Sequence, residues 1–284
     1  MEELKYILVF GLLHSSTYLA FSLGFSLILG VAKIPNLAYG VLYVLSGYVA
    51  YELMMSVGLP FYVAACLAVA LTGVASLLVG EATIRPALKN PVGVFITTMS
   101  VAYILEEYFK MSMGLKPVTL PLLPGTVSVA GIPVSNQWIL VVSVSLAMTL
   151  ALVLFLRRTD TGMAIRAVAE SWEESLRLSI NPLRVLRVTL LLTGLYAGMT
   201  GVLLAPLKAL TPSAGWAPLF AAFAIVILGG VGSIVGTAIA SVIYGLVEQA
   251  VTFTLGSGLA RVVPLLLIVV VLLLRPHGIM GRGE

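Results

Sequence analysis

Residues 61–80 read FYVAACLAVALTGVASLLVG, a stretch of 20 residues without a charged side chain. As a helix, such a block matches the roughly 30 Å hydrocarbon core of a bilayer. Similar apolar blocks occupy residues 6–31, 139–156 and 262–274. The chain of 284 residues is 60% apolar and 10% charged, whereas soluble domains carry roughly 25% charged residues. The sequence therefore predicts a polytopic helical membrane protein and excludes a water-soluble enzyme.

Glycine, proline and charged residues divide the chain into helical segments. The expected class is all-α, with a single transmembrane domain over residues 1–284 and about eight to nine spans, some of them short or broken. The predicted segments are roughly 6–31, 37–57, 60–80, 92–112, 137–156, 184–204, 214–231, 233–255 and 260–275. In residues 113–136, four prolines interrupt an apolar stretch with almost no charge. This pattern predicts an ordered external hairpin or lid.

The loop charges choose the orientation, because short cytoplasmic loops carry an excess of Lys and Arg. With the N-terminus outside and the C-terminus in the cytoplasm, 11 of the 16 Lys and Arg residues lie on the cytoplasmic side. Six of these 11 lie in residues 157–187, the longest strongly polar stretch of the chain. This loop is therefore predicted to be cytoplasmic, in a multi-pass protein of the inner (plasma) membrane.

Cysteine and histidine are too scarce for several kinds of site. Cys66 is the only cysteine, and His14 and His277 are the only histidines. Zinc sites and Cys/His nucleophile pairs would need more ligands than these, so we expect neither an enzyme nor a metal or cofactor site. The net charge of +4 reports topology rather than a nucleic-acid partner, because the basic residues lie in short loops.

The polar loop 157–187 contains a predicted amphipathic helix over residues 161–182, broken near its middle. The apolar residues of one helical face are Ile165, Val168, Trp172 and Leu176. Such a helix either rests on lipid headgroups or docks on a cytoplasmic partner. Three acids on the helix, together with Trp172 as an interface anchor, favour docking.

Four motifs, in order along the chain, resemble those of branched-chain amino-acid ABC importer permeases. Residues 159–170, TDTGMAIRAVAE, resemble the cytoplasmic coupling region of that family, and residues 27–40, LILGVAKIPNLAYG, resemble its first-span break. Residues 228–236, LGGVGSIVG, look like its glycine-rich turn, and residues 275–281, RPHGIMG, like its terminal motif. The overall length is similar to that of the smaller, H-type permease subunit.

The sequence departs from the family pattern at several positions. Tyr39 stands where the family usually has His, and Asp160 where it usually has Arg or Lys. Trp172 belongs to a Ser-Trp pair that replaces a usual Asp-Arg-like pair, and Ser179 stands where Gly is common. The change at Tyr39 bears on which solute is carried, and the change at Trp172 indicates a particular cognate ATPase.

The resemblance implies a permease subunit of an ATP-driven importer for branched-chain or other apolar amino acids. Similar permeases carry urea, short amides and related small solutes. The implied partners are a homologous second permease subunit, two cytoplasmic ATPase subunits and an external solute-binding protein, besides membrane lipid. Separate ATPases agree with the sequence, which contains no Gly-Lys dipeptide and therefore no phosphate-binding loop.

Two sets of residues are expected to carry the function. The set that couples to the ATPase is Gly162, Arg166, Glu170, Trp172 and Glu173. The set that lines the translocation path is Asn36, Tyr39, Gly230, Ser233 and Glu248. Broken helices at membrane depth are tolerated where they line protein or a wet cavity, which favours the breaks near Asn36 and Gly230 as parts of the path. Glu248 could equally pair within the bundle.

An ion-coupled secondary transporter or channel is the main alternative class. It would need acids at the midplane, but the only aspartate, Asp160, lies outside every predicted span. Glu52, Glu106 and Glu107 lie toward the outer ends of their predicted spans, where interfacial placement or pairing with Lys110 is expected. An intramembrane enzyme is the second alternative, and the sequence offers no catalytic grouping for it.

Overall fold

The computed structural model describes residues 2–114, 117–260, 262–274 and 278–280. These residues form helices and one short hairpin. In chain order the elements are α1 (Glu2–Ala32), α2 (Ala38–Met55), α3 (Phe61–Ala87), α4 (Pro91–Met113), β1 (Thr126–Val129), β2 (Ile132–Ser135), α5 (Asn136–Arg158), α6 (Asp160–Glu170), α7 (Trp172–Arg177), α8 (Pro182–Leu204), α9 (Trp216–Gly229), α10 (Ile234–Leu255) and α11 (Val262–Leu274). Within the described ranges, 6 helices are long and apolar enough to cross a membrane. The predicted all-α polytopic bundle is confirmed. Residues 275–277 and 281 of the predicted 275–281 motif lie outside the described residues.

The predicted helical segments match the structure within a few residues at most boundaries, but the predicted end of α3 is wrong. The helix continues beyond Gly80 to Ala87. Gly80 packs against α8, where a side chain would overlap its partner. Beyond it, Glu81 accepts hydrogen bonds from Arg85 at 2.7 Å and from Arg187 of α8 at 2.8 Å. These charged contacts support the last turns of α3 after the apolar block has ended.

Helices α1 and α8 lie at the centre of the bundle. The apolar window of α1 is 94% buried and that of α8 is 67% buried, whereas that of α5 is 22% buried. α1 runs antiparallel to α10: the Ser15 hydroxyl donates to the carbonyl of Val242 at 3.2 Å, and the Thr237 hydroxyl donates to Ser26 at 3.3 Å. The less buried helices expose apolar stripes that suit lipid or another subunit.

α2 begins inside the bundle rather than at its surface. Residues 33–37 leave the end of α1 with Lys33 in the left-handed region, at φ 56°. The chain then passes α4, where the Thr98 hydroxyl accepts a hydrogen bond from the amide of Leu37 at 3.3 Å. The buried tyrosines of α2 are Tyr39, Tyr43 and Tyr48. α2 is therefore a core helix that follows a break inside the bundle.

The two ends of the bundle differ in character. At one end, named here the basic end, α1, α3 and α5 finish near α6 and α7. At the other, the hairpin end, β1 and β2 pair antiparallel with Val127 opposite Val134. A bridge between Val118 and Leu210 joins the segment before β1 to the loop between α8 and α9. The structure thus confirms an ordered hairpin within residues 113–136.

Candidate functional site

The predicted amphipathic segment forms two short helices at the basic end. α6 follows Thr159, whose hydroxyl accepts a hydrogen bond from the amide of Gly162 at 3.0 Å. α7 follows Ser171, whose hydroxyl accepts from the amide of Glu174 at 3.2 Å. Ser171 has extended backbone between the two helices, at φ −148°. The break expected near the middle is therefore a second N-cap, which starts a new helix in a new direction.

The break changes which residues share a face. Ile165 and Val168 of α6 share the predicted apolar face, and this face is buried against the rest of the chain, at 2% and 1% exposure. Trp172 is half-buried against the same apolar cluster. Leu176 was predicted on this face, but it is 56% exposed. The prediction is wrong for Leu176 because Ser171 turns α7 out of the helical register of α6.

The expected coupling residues divide into two groups. A Cβ on Gly162 would overlap the carbonyl of Phe155, so Gly162 lets α6 pack directly on the end of α5. Trp172 likewise contacts its own chain through its half-buried ring. The exposed members of the set are Arg166, Glu170 and Glu173. The first group positions the helices, and the second is available at the surface of this chain.

A cavity of about 240 Å³ lies between α6 and the turn that joins α9 to α10. Arg157 and Arg166 line one side, and Gly30 and Ser233 line the other. One residue of the coupling set and one of the path set therefore share a single cavity. The sequence had placed them almost 70 positions apart, and only the antiparallel packing of α1 and α10 brings them together.

The turn between α9 and α10 has positive φ angles at two positions, and both positions are glycines. Gly230 ends α9 with φ 98° and Gly232 follows with φ 81°, both in the region that favours glycine. Ser233 then caps α10 by accepting a hydrogen bond from the amide of Gly236 at 3.1 Å. Gly30 packs on this turn, because a Cβ there would lie 3.2 Å from the Cα of Gly232. The turn is a tight helix-to-helix connection against α1.

Asn36 and Tyr39 lie inside the bundle, away from that turn. The side-chain oxygen of Asn36 accepts a hydrogen bond from the amide of Ala38 at 3.0 Å. Its side-chain nitrogen, in contrast, is buried without a hydrogen-bond acceptor among the described residues. The Tyr39 hydroxyl donates to the carbonyl of Phe21 at 2.8 Å, and the two rings lie 4.6 Å apart. Tyr39 is thus a satisfied core residue, while Asn36 keeps an unused donor.

Glu248 lies in a third place, at the hairpin end. It lines a cavity of about 590 Å³ between α1, the loop between α8 and α9, and α10, named here the hairpin-end cavity. The Tyr18 hydroxyl donates a hydrogen bond to its carboxylate at 2.9 Å. Lys208 lines the same cavity. Sequence reasoning missed Tyr18 and Lys208, although Lys208 is the only charged residue of loop 205–215 and could have been noticed for that reason.

A second buried carboxylate connects α4 to α9. Glu106 is 6% exposed and accepts a hydrogen bond from the indole nitrogen of Trp216 at 2.7 Å. Lys110 forms ion pairs with Glu106 at 3.0 Å and with Glu107 at 2.7 Å. The predicted pairing with Lys110 is confirmed. Glu106 is nevertheless inside the bundle, where its carboxylate holds the first turn of α9.

Residues 7–272 match the family described as branched-chain amino acid transport system, permease component. The chain belongs to this family. It is 29% identical to the high-affinity branched-chain amino acid transport system permease protein BraD of Pseudomonas aeruginosa, over 98% of this chain and 95% of the relative. It is 28% identical to the corresponding permease protein LivH of Escherichia coli K12, over 96% and 94%. A probable branched-chain amino acid transport permease protein LivH of Methanocaldococcus jannaschii is 26% identical, over 98% and 92%.

A solved structure shares the fold. It is that of PsaBC from Streptococcus pneumoniae in complex with Fab, and it matches with a TM-score of 0.52 over 94% of this chain and 90% of that chain. The two sequences are only 10% identical, so the likeness concerns the arrangement of helices alone. The resemblance read from the four sequence motifs is confirmed: the chain is a multi-pass membrane protein of a permease family.

The geometry sorts the expected site residues of this permease into separate regions. The turn at Gly230 and Ser233 adjoins α6 at the basic end, and Glu248 lies in the hairpin-end cavity. Asn36 lies between these regions in the buried break before α2. These residues do not form one pocket within the described chain.

Proposed function

We propose that this chain is the permease subunit of an ATP-driven importer for branched-chain or other apolar amino acids. It pairs with a homologous second permease, two cytoplasmic ATPase subunits and an external solute-binding protein. The observation that carries the proposal is the family match over residues 7–272, which includes both the membrane helices and the paired helices α6 and α7. The relatives named above are permease proteins of branched-chain amino acid transport systems.

The ATPase docks on the exposed side of α6 and α7. Support comes from the surface that these helices present: Arg166, Glu170 and Glu173 supply charge, while Leu176 and Leu178 are 56% and 69% exposed. Exposed apolar side chains among charges suit a protein interface better than a headgroup layer, which would favour a purely basic face. Gly162 keeps α6 in direct contact with α5, so force applied to α6 reaches the membrane helices.

The basic end faces the cytoplasm, which places the N-terminus outside. Single cysteines test this in a Cys66→Ser background, because Cys66 itself is exposed. Ser128→Cys on the hairpin and Glu174→Cys on α7 are both at exposed positions. In intact cells, an impermeant maleimide should label position 128 and not position 174. Labelling of position 174 alone would reverse the orientation.

Transport by the reconstituted complex tests the function. The permease, its partner subunits and the binding protein are placed in liposomes, and uptake of labelled leucine, urea and acetamide is measured. We expect leucine uptake that needs ATP and the binding protein. Preference for urea or acetamide would assign the permease to a neutral small solute. Uptake driven by an ion gradient without the ATPases would overturn the proposal altogether.

A further inference from the structure

The hairpin-end cavity carries one acidic and one basic side chain, Glu248 and Lys208. We propose that it binds the zwitterionic head group of an α-amino acid, with Lys208 on the carboxylate and Glu248 on the ammonium. This inference rests on the proposed function, because it adds a recognition site to the import path. It explains in chemical terms why a permease for apolar amino acids would hold two opposite charges in one cavity.

The carboxylate of Glu248 is held in place by its neighbours. The Tyr18 hydroxyl of α1 donates to it at 2.9 Å, so one carboxylate oxygen is fixed across the α1–α10 contact. The rings of Tyr18 and Tyr244 meet edge to face, with centroids 4.8 Å apart, and both line the cavity. Tyrosine faces attract ammonium groups. An ionisable group in a membrane helix is costly unless it serves binding or pairing, and this surrounding favours a cationic ligand group.

Lys208 is presented from an anchored loop rather than a loose one. Its amide donates to the carbonyl of Leu204 at the end of α8, at 2.8 Å. Two residues on, Leu210 exchanges backbone hydrogen bonds with Val118 at 2.8 and 2.9 Å and is fully buried. The backbone on both sides of Lys208 is therefore tied down at the rim of the cavity. A long lysine side chain on such a base reaches a carboxylate without ordering the loop first.

The rest of the cavity suits an apolar side chain. Its volume of about 590 Å³ lies within the range of roughly 300–1,000 Å³ that is typical of small-molecule sites. Apolar lining includes Phe21, Phe220 and Leu265. A solute with a charged head and an aliphatic tail satisfies both parts of the lining. Urea and acetamide carry neither a carboxylate for Lys208 nor an ammonium for Glu248.

Competition binding with half-analogues of leucine tests the site. Labelled leucine is bound to the purified permease–ATPase complex without the binding protein. Its competitors are 3-methylbutylamine, which lacks the carboxylate, and 4-methylpentanoate, which lacks the ammonium. For the wild type, we expect each half-analogue to compete about tenfold or more weakly than leucine, because it lacks one of the two charged groups that the proposed site recognises. Lys208→Met should remove the disadvantage of the amine, and Glu248→Gln that of the acid. Glu52→Gln, at an exposed acid of the same end of the bundle, is the control and should change neither.

The pattern of competition across the variants distinguishes recognition of the ligand from a general loss of folding. A merely structural role would weaken leucine and both half-analogues by the same factor, and that result would overturn the proposal. So would a wild-type complex that imports leucine through its binding protein yet binds no leucine by itself. In both cases the proposed function survives, because leucine uptake persists. If the wild type imports urea and not leucine, the proposed function itself fails.

Discussion

Replacing Glu106 should lower the stability of the bundle, because this carboxylate is buried and hydrogen-bonded. Leucine fits the same space, so Glu106→Leu removes the charge without leaving a large cavity. The change takes away the acceptor for the indole N–H of Trp216, which lies 2.7 Å from the carboxylate. The start of α9 then loses its polar attachment to α4. Glu107→Leu is the matched control, because Glu107 pairs with the same Lys110 but is 63% exposed.

The expected loss of stability follows from burial and charge. Glu106 is 6% exposed, and a hydrogen bond to a charged group contributes about 1.5–3 kcal/mol. The indole N–H left unpaired in the interior adds a desolvation cost of about 1–3 kcal/mol, part of which is already included in the first figure. We therefore expect a loss of about 2–4 kcal/mol for Glu106→Leu. For a chain of this length, each kcal/mol lowers the Tm by about 2 °C, so the Tm should fall by about 4–8 °C.

The assay is the fraction of monodisperse permease after heating in detergent, measured by size-exclusion chromatography. Thiol-reactive dyes are unsuitable because Cys66 is exposed in the folded protein. Glu107→Leu should leave the Tm nearly unchanged, since exposed ion pairs contribute little. The variant Trp216→Phe and the double variant complete a cycle that isolates the pair. Equal Tm values for Glu106→Leu and Glu107→Leu, or additive effects in the cycle, would refute the reasoning.

Three further substitutions test other parts of the molecule. Trp172→Ala should release the ATPase subunits during purification, because the half-buried ring packs α7 on its own chain and so positions the exposed docking side, while Trp172→Phe keeps this packing and retains them; unchanged ATPase retention in both would show that the packing of Trp172 does not position the docking side. Asn36→Leu should reduce uptake more than Asn36→Ser, which can still accept the Ala38 amide, and a yield that falls in step with uptake would make the residue structural. Gly215→Ala should lower the Tm because its Cβ would overlap the carbonyl of Gly40, whereas Gly258→Ala meets open space and should be neutral; similar Tm values would count against this close approach.

The helices were predictable because lipid leaves the chain few options. Every backbone group in a bilayer must bond within the protein, so apolar blocks of spanning length become helices. The hairpin in residues 113–136 was also visible, through its prolines and β-branched residues. The end of α3 was not, because Glu81 finds Arg187 on a helix more than 100 positions away. A pairing partner of that kind is a property of the fold and leaves no mark on the local sequence.

The candidate site was predictable only in part. Breaks near Asn36 and Gly230 are marked by proline and glycine, and the structure has both. The rotation of Leu176 out of the predicted face depends on Ser171 acting as a new N-cap, which helical periodicity does not reveal. Ser179 has a left-handed backbone, at φ 59°, and this conformation favours glycine, the residue that the sequence resemblance expects there. Only the structure shows that Lys208 and Glu248 line the same cavity, because one residue lies in a loop and the other in a helix distant in sequence.

α1 links the two ends of the bundle that carry the proposed activities. At its basic end, Leu27 and Val31 pack in one cluster with Ile165 of α6, and Gly30 lies against the α9–α10 turn. Twelve residues earlier on the same helix, about 18 Å away at 1.5 Å per residue, Tyr18 holds the carboxylate of Glu248. Tightly packed interiors transmit displacement rather than absorb it. On the proposed function, we therefore expect a shift of α6 imposed by an ATPase to move α1 against α10 and to change the contact that fixes Glu248 in the hairpin-end cavity.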